Sequence, residues 1–144
     1  MSKVSKKRIV ITKAKKKTAI ARARIKEAKS RGQYRINSQP VEVYGNELTN
    51  HVVLIPITIA KEVLGKTVDS LDIAVRVSGG GVMGQAEAVK VAVAKALIEW
   101  TGSEKLKKAF LEYDRNLLVD DVRKKEPKKY LRDGARAKPQ KSYR

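Results

Sequence analysis

The stretch LDIAVRVSGGGVMGQAEAVKVAVAKALIEW, residues 71–100, decides the fold because glycines join two different periodicities. Its first seven residues alternate between apolar and other types, which is typical of a half-buried strand. From Gln85 to Trp100 the apolar residues recur at helical spacing and form one stripe. The inward residues of the strand are Leu71, Ile73, Val75 and Val77, and the stripe contains Val89, Val93, Ala96, Leu97 and Trp100. A strand followed directly by a helix is predicted.

The glycines between them match a known phosphate-binding pattern. Gly79, Gly81 and Gly84 satisfy G-x-G-x-x-G, in which a loop lays a dinucleotide pyrophosphate on a helix N-terminus. A βαβ unit is not evident, because Ser103 is placed to cap a second helix where the next strand is required. A P-loop is excluded, since Gln85 follows the last glycine where Lys must stand. The loop therefore remains open to three interpretations: a dinucleotide site, a purely structural turn, or a turn that also contacts a nucleic-acid phosphate, which we favour.

Upstream segments predict three more strands. KTAIARARIK, residues 17–26, alternates between a face of Ala and Ile and a largely cationic face. YRIN (34–37) and VEVY (41–44) flank a short turn and predict a hairpin. A helical stretch capped by Asn46 or Thr49 follows, interrupted or restarted by Pro56 and ending at Leu64. These elements predict an α+β body.

The charge indicates a polyanionic partner. The chain has 144 residues with 33 Lys and Arg against 15 Asp and Glu, a net charge of +18. Residues 1–31 carry +12, residues 32–114 carry −1 and residues 115–144 carry +7. Such self-repulsion is costly unless an anion neutralises it. We therefore expect three regions: a basic N-terminal extension (1–15), an α+β body (16–114) and an extended basic C-terminal tail (115–144).

Nucleic acid fits this polyanion better than a membrane. The final segment contains Gly134, Pro139 and one bulky aliphatic residue, so it cannot form a basic amphipathic helix. We find no apolar run that approaches a membrane span or a signal-peptide core, and expect an intracellular protein without membrane partners.

Catalytic and metal-binding arrangements are weak in this sequence. The chain has no Cys and one His, which excludes thiolate chemistry and a His-based metal cluster. His51 lies in an apolar run and is expected to be packed or hydrogen-bonded. The adjacent Asp120 and Asp121 are poorly placed for paired carboxylate chemistry, and within VDDVRKK they are expected to pair locally with basic neighbours. We predict no enzyme activity, cofactor or metal.

Three ordered blocks of the chain resemble a known family. YRINSQPVEVY, VSGGGVMGQAEAVKVAVAKAL and DDVRKKEPKKYLRDGARAKPQKSYR closely resemble the universal "protein nine" family of the small ribosomal subunit. The ending KSYR is similar to its archaeal and eukaryotic branch. The resemblance runs from about Lys13 to Arg144.

This resemblance implies a fold, partners and sites. The fold is a small four-stranded sheet with helices on one side, of the ribosomal protein S5 domain 2-like type. The partners are small-subunit ribosomal RNA in the subunit head, neighbouring ribosomal proteins of the head and peptidyl-site tRNA, in cytoplasmic ribosomes. The tail tip reaching the tRNA corresponds to Lys141, Ser142, Tyr143 and Arg144. From charge, the glycine turn and the resemblance together, the expected RNA-binding residues are Arg22, Arg24, Gly79, Gly80, Gly81, Gly84, Gln85, Lys124, Lys125, Lys128, Lys129, Arg132, Arg136 and Lys138.

Two other functional classes remain as alternatives. A cofactor-dependent enzyme built on residues 79–84 would bind a nucleotide saturably. A general nucleic-acid-compaction protein would not fractionate in stoichiometric amount with small subunits. The structural ribosomal protein is the interpretation that residues and resemblance support together.

Overall fold

A five-stranded sheet forms one layer of the protein in a computed structural model, which describes residues 8–28 and 30–142. The strand order is β1-β2-β5-β3-β4, and only β3 and β5 pair in parallel. The strands are β1 (Ile9–Lys16), β2 (Ala19–Glu27), β3 (Tyr34–Ile36), β4 (Gln39–Pro40) and β5 (Leu71–Ser78). The α+β class is confirmed and the arrangement is consistent with an S5 domain 2-like fold. The expectation of four strands is wrong, because the sheet has five.

The additional strand is β1, most of which lies within the expected N-terminal extension. Ile9–Lys16 pairs with β2 along its whole length, so the expected boundary after residue 15 falls inside a strand. Val10 and Ala14 are buried while their neighbours are exposed or partly exposed. Three lysines among its eight residues 9–16 and the preceding basic run hide this alternation, but an edge strand tolerates cations on its solvent side.

The hairpin after β3 is shorter than expected. VEVY is not a strand, since Val41–Val43 forms a single 3-10 turn and β4 is only two residues long. The turn uses Asn37 and Ser38, both at positive φ (49° and 72°). The Asn37 side chain also accepts from the Val77 N–H (2.9 Å) and donates to the Val77 carbonyl (3.2 Å). This amide thus continues the pairing with β5 beyond the end of β3.

Three helices form a layer on one side of the sheet, in which the second packs directly on the strands and the first and third pack on it and on each other. They are α1 (Glu47–Leu64), α2 (Val82–Thr101) and α3 (Glu104–Tyr113). Asn46 and Thr49 form a capping box at the start of α1, and the Ser103 hydroxyl accepts from the Leu106 N–H at α3, as predicted. Pro56 does not interrupt α1, which is continuous through it and buries it in the core.

The core lies between the sheet and α1 and α2. Small residues on the inner face of β2 allow α2 to approach closely, and its own core positions are mostly Ala and Val. The inner residues Ala19, Ala21, Ala23 and Ile25 are each 0% exposed. The opposite face of the sheet has no helix over it in residues 8–28 and 30–142, and we call it the open sheet face.

Two expectations about α1 are corrected. The His51 side chain is 76% exposed, with its Nε2 4.0 Å from a carboxylate oxygen of Glu47, because it lies on the outer side of the helix. The stretch Glu47–Ser70 is long and apolar enough to cross a membrane by length and composition alone. The same composition suits a core helix, and one face of α1 is buried through Thr49, Val53, Pro56 and Ala60.

Candidate nucleic-acid interface

Cations from three strands meet on the open sheet face. Arg22 lies opposite Lys13 of β1 on one side and opposite Arg76 of β5 on the other. All three are exposed, so they form one cationic row across the sheet. In the adjoining row Arg24 is opposite Ala74, which in turn is opposite Arg35 of β3. The sheet register therefore assembles a compact basic surface from residues far apart in the chain.

A depression on this surface has the size and lining for part of a nucleotide. Its volume is about 520 Å³, and it lies between the outer sides of β2 and β5 and the turn after β3. Arg22 and Arg76 provide cations, and Asn37, Ser38 and Ser78 provide polar groups. Ile20 adds an apolar wall. Arg side chains donate to phosphate in a planar fork and also stack on bases, so this lining suits RNA.

The charges of this surface are not neutralised within the protein. Among the described residues no carboxylate lies within 4.0 Å of Lys13, Arg22, Arg24 or Arg76. Lys26 at the periphery is the exception, 3.2 Å from Asp72. Like charges directly opposite one another destabilise a sheet, and an anion bound over the row removes that cost.

The glycine turn packs against the tip of the β1–β2 hairpin. Gly79 and Gly80 have φ of 77° and 68°, which glycine adopts readily. A Cβ on Gly79 would lie 2.6 Å from the Thr18 carbonyl oxygen. Gln85 braces the turn, since its Nε2 donates to the Gly79 carbonyl (3.2 Å) and its Oε1 accepts from the Tyr44 hydroxyl (3.1 Å). The turn is thus built for close backbone contact.

The rest of the loop does not form a dinucleotide-binding unit. Gly81 is the N-cap of α2, and Gly84 lies inside its first turn. Beyond α2, residues up to 142 form α3, a 3-10 turn and irregular chain, with no strand to complete a βαβ unit. The first turn of α2 contains no acidic residue. No carboxylate of that turn therefore competes for its N–H groups.

Substitution should distinguish the structural glycines from the others. We expect Gly79→Ala to lower the free energy of unfolding by about 2–4 kcal/mol, since it combines a left-handed φ with a backbone clash. Gly81→Ala is the matched control, because nothing lies within 4 Å of its Cβ position, and should cost less than about 1 kcal/mol. Denaturant unfolding measures both. Equal losses of stability in the two variants would show that the close contact between Gly79 and Thr18 does not determine the cost of substitution.

The chain remains on the body as far as Asp121, beyond the expected boundary at residue 114. Leu117, in a 3-10 turn at Arg115–Leu118, is 0% exposed. Asp121 then forms a parallel bridge with β1: its N–H donates to the Lys15 carbonyl (2.9 Å), and its carbonyl accepts from the Lys17 N–H (2.8 Å). The distal tail, residues 122–144, therefore leaves the body at the same end as the glycine turn.

Ion pairs strengthen this attachment. The Asp120 carboxylate accepts from Lys95 Nζ at 2.7 Å, and the Asp121 carboxylate accepts two bonds from the Arg123 guanidinium (2.8 and 2.9 Å). Lys16 Nζ lies 2.8 Å from Glu87 and 3.8 Å from Asp121. The expectation of local pairing is confirmed for Asp121, whose partner is Arg123. It is wrong for Asp120, whose partner Lys95 comes from α2.

The attachment should weaken in acid. Hydrogen bonds from the Arg123 side chain hold the pKa of Asp121 well below its usual range. A carboxyl with a lowered folded pKa stabilises above its unfolded pKa of about 3.9, and this stabilisation is lost as pH falls through the folded value. We expect the protection factors of the Lys17 and Asp121 amides, which are corrected for intrinsic exchange, to fall on acidification. Asp121→Asn should remove that pH dependence, and an identical profile in both proteins would contradict the assignment.

The predicted cations of the distal tail are placed mostly in solvent. Residues 122–142 contain no helix or strand, with one turn in which the Arg132 N–H donates to the Lys129 carbonyl (3.3 Å). Lys124, Lys125, Lys128, Lys129 and Lys138 are exposed, and Arg132 is half-buried. Arg136 differs, because its guanidinium donates to both Glu126 oxygens (2.7 and 3.0 Å). Lys141 and Ser142 are exposed, whereas Tyr143 and Arg144 lie outside the described residues.

Comparison with known proteins agrees with this architecture. Residues 14–144 match the family described as ribosomal protein S9/S16. The chain belongs to this family. It is 51% identical over 137 residues to the small ribosomal subunit protein uS9 of Methanothrix thermoacetophila, covering 95% of this chain and 99% of that relative. The resemblance to the "protein nine" family is therefore confirmed, and ribosomal RNA binding is expected for the family.

The structure adds residues to the interface that the sequence analysis missed. Arg22 and Arg24 were identified from alternation, but Lys13, Arg35 and Arg76 were not. The alternation of LDIAVRV places Arg76 on the outer side, yet its position opposite Arg22 depends on a register that no local pattern specifies.

Proposed function

We propose that this protein is a structural constituent of the small ribosomal subunit that binds ribosomal RNA of the head through its open sheet face. The observation that carries this proposal is the cationic row of Lys13, Arg22 and Arg76, which has no carboxylate partner among the described residues. A rigid sheet holds these groups in fixed positions, so little side-chain and backbone ordering is required on binding.

The distal tail provides a second contact with RNA in this proposal. It carries ten Lys and Arg against two acidic residues and contains little apolar material to form a core. Its cations replace the counterions of the RNA backbone when it binds. The proposed contacts are Lys124, Lys125, Lys128, Lys129, Arg132, Arg136 and Lys138, of which Arg136 exchanges Glu126 for a phosphate.

The glycine turn is proposed to approach a backbone phosphate near the root of the tail. Gly81 and Gly84 leave the start of α2 uncrowded, and the N–H groups there favour an anion. In this role Gly79, Gly80 and Gln85 set the shape of the turn more than they contact RNA. No cofactor and no catalytic step are part of the proposal.

The tip of the tail, residues 141–144, is proposed to contact the anticodon stem-loop of peptidyl-site tRNA on cytoplasmic ribosomes. Support comes from the family resemblance of KSYR and from the exposure of Lys141 and Ser142 at the end of an irregular chain. Hydrogen bonds to charged groups contribute about 1.5–3 kcal/mol, which is roughly 10- to 150-fold in affinity. Pairing with message and ribosomal RNA contacts supply the rest of tRNA binding.

Deletion of residues 143–144 should therefore leave subunit assembly intact and accelerate tRNA dissociation from the peptidyl site. The dissociation rate is measured from purified subunits at fixed salt. It is compared with wild type and with a Val122→Ala variant, which changes an exposed residue at the start of the distal tail. Equal rates for all three subunits would remove the tip from tRNA binding and leave an architectural protein.

The subunit assignment itself is tested by fractionation. A structural constituent should be present in a one-to-one ratio with other small-subunit proteins after gradients washed at high salt. A compaction protein would instead bind nucleic acids of all kinds and dissociate at high salt, because its phosphate contacts weaken.

A further inference from the structure

The outer side of α1 carries an apolar stripe beside the one that faces the core. Leu48 and Val63 at its two ends are 74% and 38% exposed, and the residues between them are half-buried. The spacing of three and four residues places them on one side of the helix, over a length of about 22 Å. We call this set the α1 stripe: Leu48, Val52, Ile55, Ile59 and Val63.

The extent of this apolar surface is unusual for a helix that packs on a core. Only 28% of an apolar 18-residue window within Glu47–Ser70 is buried, although its composition would suit a fully buried helix. Val52 and Ile59 also pack against the core, whereas Leu48 and Val63 are exposed and Ile55 is half-buried. Exposed apolar residues grouped on one side of a helix are typical of an interaction site.

The charge near the α1 stripe is opposite to that of the protein. α1 contains one Lys and two Glu in a chain of net charge +18. The Glu47 side chain is 92% exposed, with His51 its only basic neighbour within 4.0 Å among the described residues. Glu62 is exposed and has no such neighbour in the described part of the chain. An acidic rim of this kind repels RNA phosphate.

We propose that the α1 stripe is the docking surface for a basic, amphipathic segment of another protein of the small subunit. The apolar side chains of that segment lie on Leu48, Ile55 and Val63, and its Lys or Arg side chains lie beside Glu47 and Glu62. This surface is separate from the open sheet face, because α1 lies on the opposite side of the sheet. One face of the protein thus binds RNA and the other binds protein.

The charge pattern also argues against a membrane as the occupant. An anionic lipid surface attracts cations, and the polar side of a membrane-bound helix is rich in Lys and Arg. Here that side has Glu47, His51, Thr58 and Glu62 instead. Complementarity to a basic protein segment accounts for both the apolar stripe and its acidic rim.

Site-specific cross-linking tests this proposal cleanly, since the chain has no cysteine. A photoreactive maleimide is attached to Leu48→Cys or Val63→Cys, and to Ser78→Cys as a control on the open sheet face. All three positions are exposed, and circular dichroism confirms folding before assembly into subunits. We expect the two α1 variants to cross-link to protein, at a peptide rich in Lys and Arg, and the control to cross-link to RNA.

Other results from the α1 variants would overturn the proposal. Three of these results are a cross-link to RNA, to a second copy of this chain or to an acidic peptide. The fourth is the absence of any cross-link, combined with a cysteine thiol that reacts as fast in subunits as in the free protein. Binding of the free chain to phosphatidylcholine vesicles that Leu48→Lys abolishes would instead identify a membrane surface and also overturn it.

The role of the acidic rim is tested separately in the same subunits. Glu47→Lys combined with Glu62→Lys should lower the yield of the protein cross-link by about threefold or more at low salt, since exposed ion pairs contribute modestly. Glu112→Lys combined with Glu104→Lys on α3 makes the same change in charge and should leave the yield unchanged. An equal fall in both would attribute the effect to net charge and overturn the proposed charge complementarity.

Discussion

Truncation after Asp121 should reduce RNA affinity on the order of 10³-fold at about 0.1 M salt, the largest loss we expect from any change. The truncation removes ten Lys and Arg and two acidic residues but leaves the bridge between Asp121 and β1 in place. If about half of these cations contact phosphates, the slope of log affinity against log salt should decrease by roughly 3.5–4.5.

A filter-binding or fluorescence titration of head-domain RNA at several salt concentrations measures this slope. The full-length protein should have a slope on the order of −5 to −9, corresponding to six to ten phosphates. An unchanged slope after truncation would mean that the distal tail does not touch the RNA backbone. The amides of β2, which pairs with both β1 and β5, provide a control, because they should remain protected if the body is intact.

Removing the cations of the open sheet face should have the second-largest effect. Arg22→Ala, Arg24→Ala and Arg76→Ala together should weaken RNA binding by about 100- to 1000-fold and reduce the salt slope by about 2–3. The body should remain folded, with equal or greater stability, because Arg22 lies directly opposite both Lys13 and Arg76.

A matched triple variant on α3 separates position from net charge. Lys105→Ala, Lys107→Ala and Lys108→Ala remove the same charge from exposed positions without ion pairs among the described residues. This variant should lose less than about tenfold, since distant charges act only through the screened field of the protein. Losses of equal size would show that the charge of the chain, and not the arrangement of the sheet, determines RNA binding.

The sequence predicted the elements whose local patterns are strong. The structure confirms the strands predicted from the alternation of residues 19–25 and 71–77 and the helix predicted from the apolar stripe after Gln85. These patterns are strong because one face of each element is buried. The helix caps at Asn46 and Ser103 could also be predicted from the sequence, since their side chains accept hydrogen bonds from N–H groups that the start of any helix leaves without a partner.

The elements that were missed depend on contacts distant in sequence. β1 exists because Ile9–Lys16 finds β2 as a partner, and its lysines conceal the two buried positions. VEVY alternates like a strand, but Val41–Val43 forms a 3-10 turn in which the Tyr44 N–H donates to the Val41 carbonyl. Likewise, the row of Lys13, Arg22 and Arg76 is a product of register, which local periodicity does not specify.

The central claim is that the open sheet face holds this protein on ribosomal RNA, and competitive assembly tests it most directly. Wild-type protein is mixed in equal amounts with the sheet triple variant or with the α3 triple variant during small-subunit assembly. The ratio retained after a high-salt gradient is then read by mass spectrometry. The account predicts that the sheet variant is depleted at least about tenfold, while the α3 variant stays near the input ratio. Retention of both variants at the input ratio would contradict it.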